Sequence, residues 1–225
     1  DCARKLSPWF SERRNSSVNE IKRQLEYREE NRGRVEAFHI TRTLGSGTKL
    51  LLDEDAGLFM VTSAKNIAEA NPDVLALSDV TGCTLDVEES SKELLHEDKD
   101  GNEVSYNPPR YEYSYDFYII VNVNNPYFNE MRFRINPNSV EISPPPSIRP
   151  GVTLRFNPET NAEYKKYKQL GEEIRQILVK VRDDAREKIE QAAAPKTAVS
   201  CPYCGATTTP DASGCCEYCG GALMG

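Results

Sequence analysis

The chain has 225 residues and a formal net charge of −7 at neutral pH, with 38% hydrophobic and 28% charged residues. Its length allows one or two domains. No apolar run approaches the roughly 20 residues that a membrane-spanning helix needs, and no signal peptide is visible. Because cysteines in CxxC pairs suit a reducing compartment, we expect a cytoplasmic protein.

The chain begins at Asp1 without an initiator methionine, so we expect either a processed chain or a fragment that has lost upstream residues. Two interpretations of Cys2 stay open. It is either an ordinary thiol, or the last ligand of a zinc knuckle whose other cysteines lay upstream. In the second case this chain cannot complete that site.

The first predicted element is a charged amphipathic helix. Ser17 followed three residues later by Glu20 is a capping box, the signature of a helix N-terminus. Three apolar residues then recur at helical spacing: Val18, Ile21 and Leu25. We expect this narrow stripe to lie on a partner surface, within the chain or outside it, and Gly33 to end the helix.

From Phe38 to about Ile142 the apolar period changes to two, which indicates β-strands. The predicted strands include residues 49–53, 58–62, 83–88, 111–123 and 131–135. About six or seven antiparallel strands would form a curled sheet or a partly open barrel. Cys83 alternates with polar neighbours, so we interpret it as a core residue.

The segment from Asp98 to Asn102 starts like a calcium-binding loop. Glu103 and Pro109, however, occupy positions where that loop requires glycine and glutamate. We therefore predict a β-hairpin turn centred on Asp100 and Gly101.

Four prolines between residues 144 and 150 interrupt the sheet, and a long helix follows. Asn157 is its predicted N-cap and Pro158 its first residue. One apolar stripe continues over several turns: Leu170, Ile174, Ile177, Val181 and Ala185. At about 1.5 Å per residue the helix is longer than a small sheet needs. Its distal half is expected to project, either as a stalk or as a coiled-coil seam for oligomerisation.

The last 25 residues carry the strongest motif, CPYCG at residues 201–205 and CEYCG at residues 216–220. Each CxxC directs two thiolates to a common centre, and four sulfurs complete a tetrahedral zinc site. The predicted ligands of this structural zinc are Cys201, Cys204, Cys216 and Cys219. Cys215 is out of register with the first motif, so we interpret it as a spare thiol. Metal binding would supply the folding free energy of so short a segment.

Charge argues against nucleic acid as a partner. Residues 53–100 contain 13 acidic residues against three lysines, a local net charge of −10, and the ribbon has no basic surface. Binding to phosphates requires such a surface. An active site is also not expected, because His39 and His96 lack a paired nucleophile and carboxylate, and four protein ligands leave zinc no open position.

The order of these elements resembles a bacterial domain-of-unknown-function family. The segments that carry the resemblance are Asp1–Leu6, Ile40–Gly45, Asp79–Cys83, Tyr111–Val123 and the two knuckles. The strands followed by one amphipathic helix also look like a pleckstrin-homology-like (PH-like) domain. The resemblance implies an N-terminal four-cysteine knuckle, a PH-like middle and a C-terminal ribbon, and it makes Cys2 the final ligand of a truncated knuckle.

Together these features predict an α+β protein with four parts: a knuckle remnant and helix (1–36), a PH-like sheet domain with its C-terminal helix (37–192), a linker (193–200) and a zinc ribbon (201–225). The expected function is a non-enzymatic zinc-binding adaptor or scaffold for an unknown protein partner. A membrane-surface or lipid-binding module is one alternative, with Arg132, Arg134 and Arg149 as its candidate basic face. A nucleic-acid-binding ribbon is another.

Overall fold

The computed structural model describes residues 6–143, 157–193, 198–210 and 214–223. Contacts divide the chain into two compact units, Asp1–Ala185 and Arg186–Gly225. The first unit holds two antiparallel sheets and most of the helical residues. The second holds the end of the long helix and the ribbon. The predicted domain boundaries stay predictions.

Three α-helices and ten strands occur in the described residues. The helices are α1 (Val18–Ala37), α2 (Ile67–Ala70) and α3 (Ala162–Ala193). The strands of the first unit are β1 (Arg42–Leu44), β2 (Lys49–Asp53), β3 (Leu58–Thr62), β4 (Val74–Ala76), β5 (Val80–Glu97), β6 (Glu103–Val123), β7 (Glu130–Arg134) and β8 (Val140–Ile142). Those of the second unit are β9 (Val199–Ser200) and β10 (Thr207–Thr208).

The first sheet is an antiparallel meander in the order β1-β2-β3-β4. Both of its faces are buried, which explains why its strands have continuous apolar runs instead of alternation. Leu50 and Leu52 face the main core, whereas Leu51 packs with Val35 of α1 in a smaller cluster on the other face. This sheet is therefore enclosed between α1 and the main core.

The second sheet is built around β6, which pairs with β5 along most of its length. On its other edge β6 pairs with β7 and then with β8. Neither four-stranded sheet closes into a barrel, so the structure has two open sheets where we expected one curled sheet or a partly open barrel. The chain separates them at the 3₁₀ turn Leu77–Asp79, after which β5 pairs with β6 and not with β4.

One main core joins inward side chains of both sheets to α3. The predicted stripe on α3 is confirmed, because Ile174 is buried and the other four positions pack against the core. Tyr164, Tyr167 and Leu178 are also buried on this helix. The predicted N-cap of α3 is one turn early. Asn157 caps the 3₁₀ turn Pro158–Thr160, and α3 begins after Asn161, whose side chain accepts hydrogen bonds from the next backbone N–H groups.

Two helical glycines differ in the space around them, and this difference yields a stability prediction. A Cβ atom added at Gly171 of α3 would lie 2.5 Å from Leu85 Cδ1, whereas one added at Gly33 of α1 would meet nothing within 4 Å. We expect Gly33→Ala to stabilise the protein by about 1 kcal/mol through helix propensity. In Gly171→Ala, crowding against Leu85 should cancel that gain. Its free energy of unfolding, measured in urea, should be at least about 1 kcal/mol lower than that of Gly33→Ala. Equal stabilities would contradict the packing at Leu85.

The hairpin turn between β5 and β6 is confirmed. The Asp98 carboxylate accepts hydrogen bonds from the backbone N–H groups of Asp100 and Asn102, each at 2.9 Å. Gly101 adopts a φ of +80°, a backbone conformation that glycine accommodates readily. The Asp98 carboxylate thus stabilises the turn itself.

Helix α1 begins at the predicted capping box, in which Ser17 and Glu20 each bond the other's backbone N–H group. The predicted end of the helix and the Val18 position of the stripe are wrong, whereas the expectation that the helix lies on a surface within the chain is met by the first sheet. The helix continues through Gly33 to Ala37, and Val18 of the predicted stripe is 73% exposed. The buried positions are mainly polar: Gln24, Arg28, Asn31 and Val35.

Arg28 and Asn31 have partners on the segment before β4, and Gln24 Oε1 accepts a hydrogen bond from the Ser7 backbone N–H. Five polar side chains form this network: Ser7, Arg28, Asn31, Asn71 and Asp73. Arg28 Nη1 lies 2.7 Å from Asp73 Oδ1, and Ser7 Oγ donates to Asp73 Oδ2 at 2.7 Å. Asn31 donates to Asn71 Oδ1 at 2.8 Å. Burial raises the pKa of the Asp73 carboxyl, and the Arg28 charge offsets that only in part. A polar network thus attaches α1 to the first sheet.

Candidate metal centre

The two CxxCG motifs fold into closely similar turns. In the first, the Gly205 N–H donates to the Cys201 carbonyl at 2.9 Å, and in the second the Gly220 N–H donates to the Cys216 carbonyl at 2.7 Å. Both glycines have positive φ, +74° and +70°. Glycine is suited to this conformation, so the last residue of each motif allows the turn to close.

In each turn one further backbone hydrogen bond connects the first cysteine to the chain that follows the motif. The Cys201 N–H donates to the Ala206 carbonyl at 2.8 Å, and the Cys216 N–H donates to the Gly221 carbonyl at 2.7 Å. Strands β9 and β10 then pair next to the first turn. The ribbon therefore repeats one local structure twice, and each copy presents two thiols.

The structure brings the four predicted ligands together. The sulfur atoms of Cys201, Cys204, Cys216 and Cys219 all lie within 4.8 Å of one another. The Cys201–Cys219 pair is 3.5 Å apart and the Cys204–Cys216 pair 3.7 Å. Four thiolates at about 2.3 Å from a tetrahedral zinc would be separated by about 3.8 Å, whereas a disulfide requires about 2.05 Å. The donor set and the spacing fit a metal ion.

The two knuckles expose their cysteines in the same way. The first cysteine of each pair, Cys201 or Cys216, is buried, and the second, Cys204 or Cys219, is exposed. One side of the sulfur group is thus covered by the ribbon and the other side faces solvent. A chelator can approach the site from that second side.

Hydrogen bonds make the pKa of Cys201 lower, and that of Cys219 higher, than the pKa of an ordinary thiol. Burial opposes ionisation of Cys201, but backbone N–H groups of Cys204 and Tyr203 outweigh it and lower the pKa of Cys201 to about 7. The Gly221 N–H favours the Cys219 thiolate, but the bonds of that thiol to Cys201 and Cys204 prevail and raise the pKa of Cys219 to about 12. The raised pKa of Cys219 keeps this thiol protonated near neutral pH, and a bound cation would supply the positive charge that its thiolate needs.

Three cysteines of the sequence are not among the four predicted ligands. Cys215 is not a member of the four-sulfur group, and its backbone forms an isolated antiparallel bridge with Ala222. Cys2 lies outside the described residues, which begin at Leu6. Cys83 is buried in the main core, where burial raises its pKa to about 11, as expected of a core thiol.

The two histidines lie apart from the cysteines in the sequence and have ordinary surroundings. His96 is exposed on β5, and its ring stacks on Tyr106 with ring centres 4.5 Å apart. His39 is exposed just after α1, where its backbone N–H donates to Asp53 Oδ2 at 2.9 Å. Neither contact pairs a histidine with a nucleophile.

The arginines of the candidate basic face are engaged by acidic neighbours. Arg132 lies 3.0 Å from Asp86 and 2.7 Å from Glu88, and its guanidinium stacks over the Tyr118 ring. Arg134 lies 3.0 Å from Asp116. The third candidate, Arg149, lies outside the described residues.

Sequence reasoning overlooked two aromatic residues of the ribbon. Tyr203 and Tyr218 occupy the same position in the two knuckles, and their side chains are 72% and 73% exposed. The signal was present in the motif itself. Proline and glutamate differ between the knuckles at the preceding position, while the tyrosine is the same.

Comparisons of the chain with protein-family models, curated proteins and solved structures found no match. Within the described residues, no helix has both the length and the apolar character needed to cross a membrane.

Proposed function

We propose that this chain is a non-enzymatic adaptor that presents protein-binding surfaces, with a zinc-stabilised ribbon at its C-terminal end. The observation that supports this function is the four-sulfur group of the ribbon. Four cysteine ligands fill a tetrahedral zinc and leave no position for water or substrate, so the metal would have a structural role.

The nature of the donor atoms favours zinc. Four thiolates in tetrahedral spacing suit zinc or an iron centre, and do not suit calcium or magnesium, which take oxygen ligands. The two metals are distinguished by colour, because zinc with its filled d shell adds no visible absorption. Elemental analysis of the purified chain should find one zinc per chain.

The order of the elements along the chain is what supports the PH-like interpretation of residues 37–192. A four-stranded meander, a second antiparallel sheet and a long amphipathic helix follow one another in this order. We regard the first unit as a scaffold that holds interaction surfaces, in a cytoplasmic protein. Helix α3 is a candidate for self-association, because Ile189 on its distal part is 55% exposed.

The distribution of charge argues against the two alternative functions, lipid binding and nucleic-acid binding. A lipid-headgroup site needs converging basic side chains. Arg132 and Arg134 are instead paired with Asp86, Glu88 and Asp116. A nucleic-acid-binding ribbon needs lysines or arginines to neutralise phosphates, and the sequence from Ala198 to Gly225 contains neither.

Affinity purification from the cell that makes the protein tests the adaptor function. The wild-type chain is compared with Cys219→Ser, which removes a metal ligand, and with Cys215→Ser, which does not. We expect a defined set of proteins to copurify with wild type and Cys215→Ser, and part of that set to be lost with Cys219→Ser. Identical sets for all three chains, or metal-dependent turnover of a substrate, would contradict the proposal.

A further inference from the structure

The ribbon carries two exposed aromatic rings in equivalent positions. Tyr203 and Tyr218 each precede the second cysteine of a knuckle, and both side chains are more than 70% exposed. The knuckle turns are closed by backbone bonds of the cysteines and glycines, in which the tyrosine rings take no part. The rings are thus not needed to close the turns and are accessible to a ligand. Exposed tyrosines are enriched where proteins bind partners.

Tyr203 is held in place by the opposite knuckle. A Cβ atom added at Gly221, just after the second knuckle, would lie 2.5 Å from Cδ2 of the Tyr203 ring. The ring therefore packs closely against the backbone at Gly221, which has no side chain to displace it. Most of the ring nevertheless remains accessible. A positioned aromatic side chain loses little conformational entropy on binding, which makes it a suitable anchor.

The charged residues in the sequence of the ribbon all have one sign. From Ala198 to Gly225 the only charged side chains are those of Asp211 and Glu217, and Glu217 is adjacent to Tyr218. Four thiolates around one divalent zinc, as in the proposed function, would add about two negative charges. The ribbon then presents aromatic faces, which attract cations, in a negative field.

From these observations we infer that the ribbon docks a basic segment of a partner protein, with lysine or arginine side chains packed on Tyr203 and Tyr218. This inference rests on the proposed function, because the zinc thiolates contribute to the field. Nucleic-acid bases also stack on tyrosine rings, but their phosphates would be repelled by the same charges. Charge therefore favours a basic peptide over a single strand of DNA or RNA.

The test uses the full chain loaded with zinc and a fluorescent 12-residue peptide of alternating arginine and serine. We expect saturable binding in fluorescence anisotropy that weakens as salt is raised, and no binding of the matched glutamate–serine peptide. The double variant Tyr203→Ala/Tyr218→Ala should bind at least about tenfold more weakly, since it lacks both cation–π contacts. Tyr203→Phe/Tyr218→Phe should bind almost as well as wild type, because the rings remain.

Tyr111→Ala is the matched control. Tyr111 is also an exposed tyrosine, 41% accessible, and it pairs across the strands with the acidic Glu93, but it lies in the first unit. Its replacement should leave peptide binding unchanged. Equal weakening by Tyr111→Ala, undiminished binding by the double alanine variant, or tighter binding of a single-stranded oligonucleotide would overturn the inference.

Zinc content separates the two possible failures. Each variant is analysed for metal, and both alanine substitutions should leave one zinc per chain because the rings are not ligands. A wild-type chain that holds zinc but ignores the basic peptide would refute only the docking inference. A wild-type chain without zinc would refute the proposed function as well.

Discussion

Cys216→Ser is expected to abolish zinc binding and to unfold the ribbon, whereas Cys215→Ser should do neither. Cys216 belongs to the four-sulfur group and Cys215, one residue away, does not. Among the described residues of the ribbon, those buried are Cys201, Thr208 and Cys216, and these three do not form an apolar core. Metal binding would supply the free energy of folding, and removing one ligand should remove it.

Two measurements check this expectation. Elemental analysis should give one zinc per chain for wild type and Cys215→Ser, and much less for Cys216→Ser. In NMR spectra the amide signals of residues 198–223 should lose their dispersion only in Cys216→Ser. The adjacent cysteine is a close control, because both variants change one thiol to a hydroxyl within the same turn.

The first unit should be indifferent to the same change. Its core is formed by both sheets and by α3 residues up to Ala185, and it does not include the cysteine ligands. We expect the main thermal transition of Cys216→Ser to match that of wild type within a few degrees. Zinc retained by Cys216→Ser, or lost by Cys215→Ser, would show that the ligands are not those the structure brings together.

The ribbon was the part of the structure most open to prediction from sequence, because its chemistry is local. Two cysteines and a glycine at fixed spacing specify the turn, so the positive φ of Gly205 and Gly220 could be anticipated. The stripe on α3 was predictable for a similar reason. It is an apolar pattern with one period, and it faces one core.

The attachment of α1 could not be predicted in this way. A search for apolar periodicity selects Val18, Ile21 and Leu25, but the buried face has the same helical spacing with polar residues, among them Arg28 and Asn31. Burying such residues is tolerated only when each has a partner. Those partners, Asn71 and Asp73, are 40 and 45 residues away in the sequence, so the pairing is visible only in three dimensions.

The division of the strands into two sheets also could not be predicted from the apolar pattern. The strands β1 to β8 all have the same antiparallel character, and alternation along one strand does not indicate which strand it pairs with. The pairing changes at Leu77–Asp79, a 3₁₀ turn of three residues. Sequence reasoning predicted β2, β3, β7 and parts of β5 and β6, but it did not show where one sheet ends and the next begins.

Arg28→Met is expected to cause a large loss of stability at neutral pH. The Asp73 side chain is fully buried and Arg28 nearly so, and their ion pair at 2.7 Å joins α1 to the first sheet. Removing one partner of a buried pair leaves an uncompensated charge, which typically costs about 3–5 kcal/mol. Arg32→Met is the matched control, because Arg32 pairs with Glu29 on the exposed side of the same helix. An exposed pair of this kind contributes less than about 1 kcal/mol.

The pH dependence of this loss distinguishes a buried charge from a packing defect. Burial already raises the pKa of Asp73, and without Arg28 it should rise further. A carboxyl whose pKa is higher in the folded than in the unfolded state favours folding at low pH, and this contribution is lost as pH rises through the folded pKa. The free-energy difference between wild type and Arg28→Met in urea unfolding should therefore shrink by about 1 kcal/mol or more from pH 7 to pH 5.

A double variant that lacks both charges tests whether the Asp73 charge causes this loss of stability. Arg28→Met/Asp73→Asn removes both charges, so at pH 7 it should be more stable than Arg28→Met alone, and its deficit should not vary with pH over the same range. Ser7 still has an acceptor in the asparagine, so the remaining hydrogen bond is retained. A deficit of Arg28→Met that is constant from pH 7 to pH 5, or a double variant less stable than the single one, would mean that the contribution of Arg28 is packing and its hydrogen bond to the Asn71 carbonyl, not its charge.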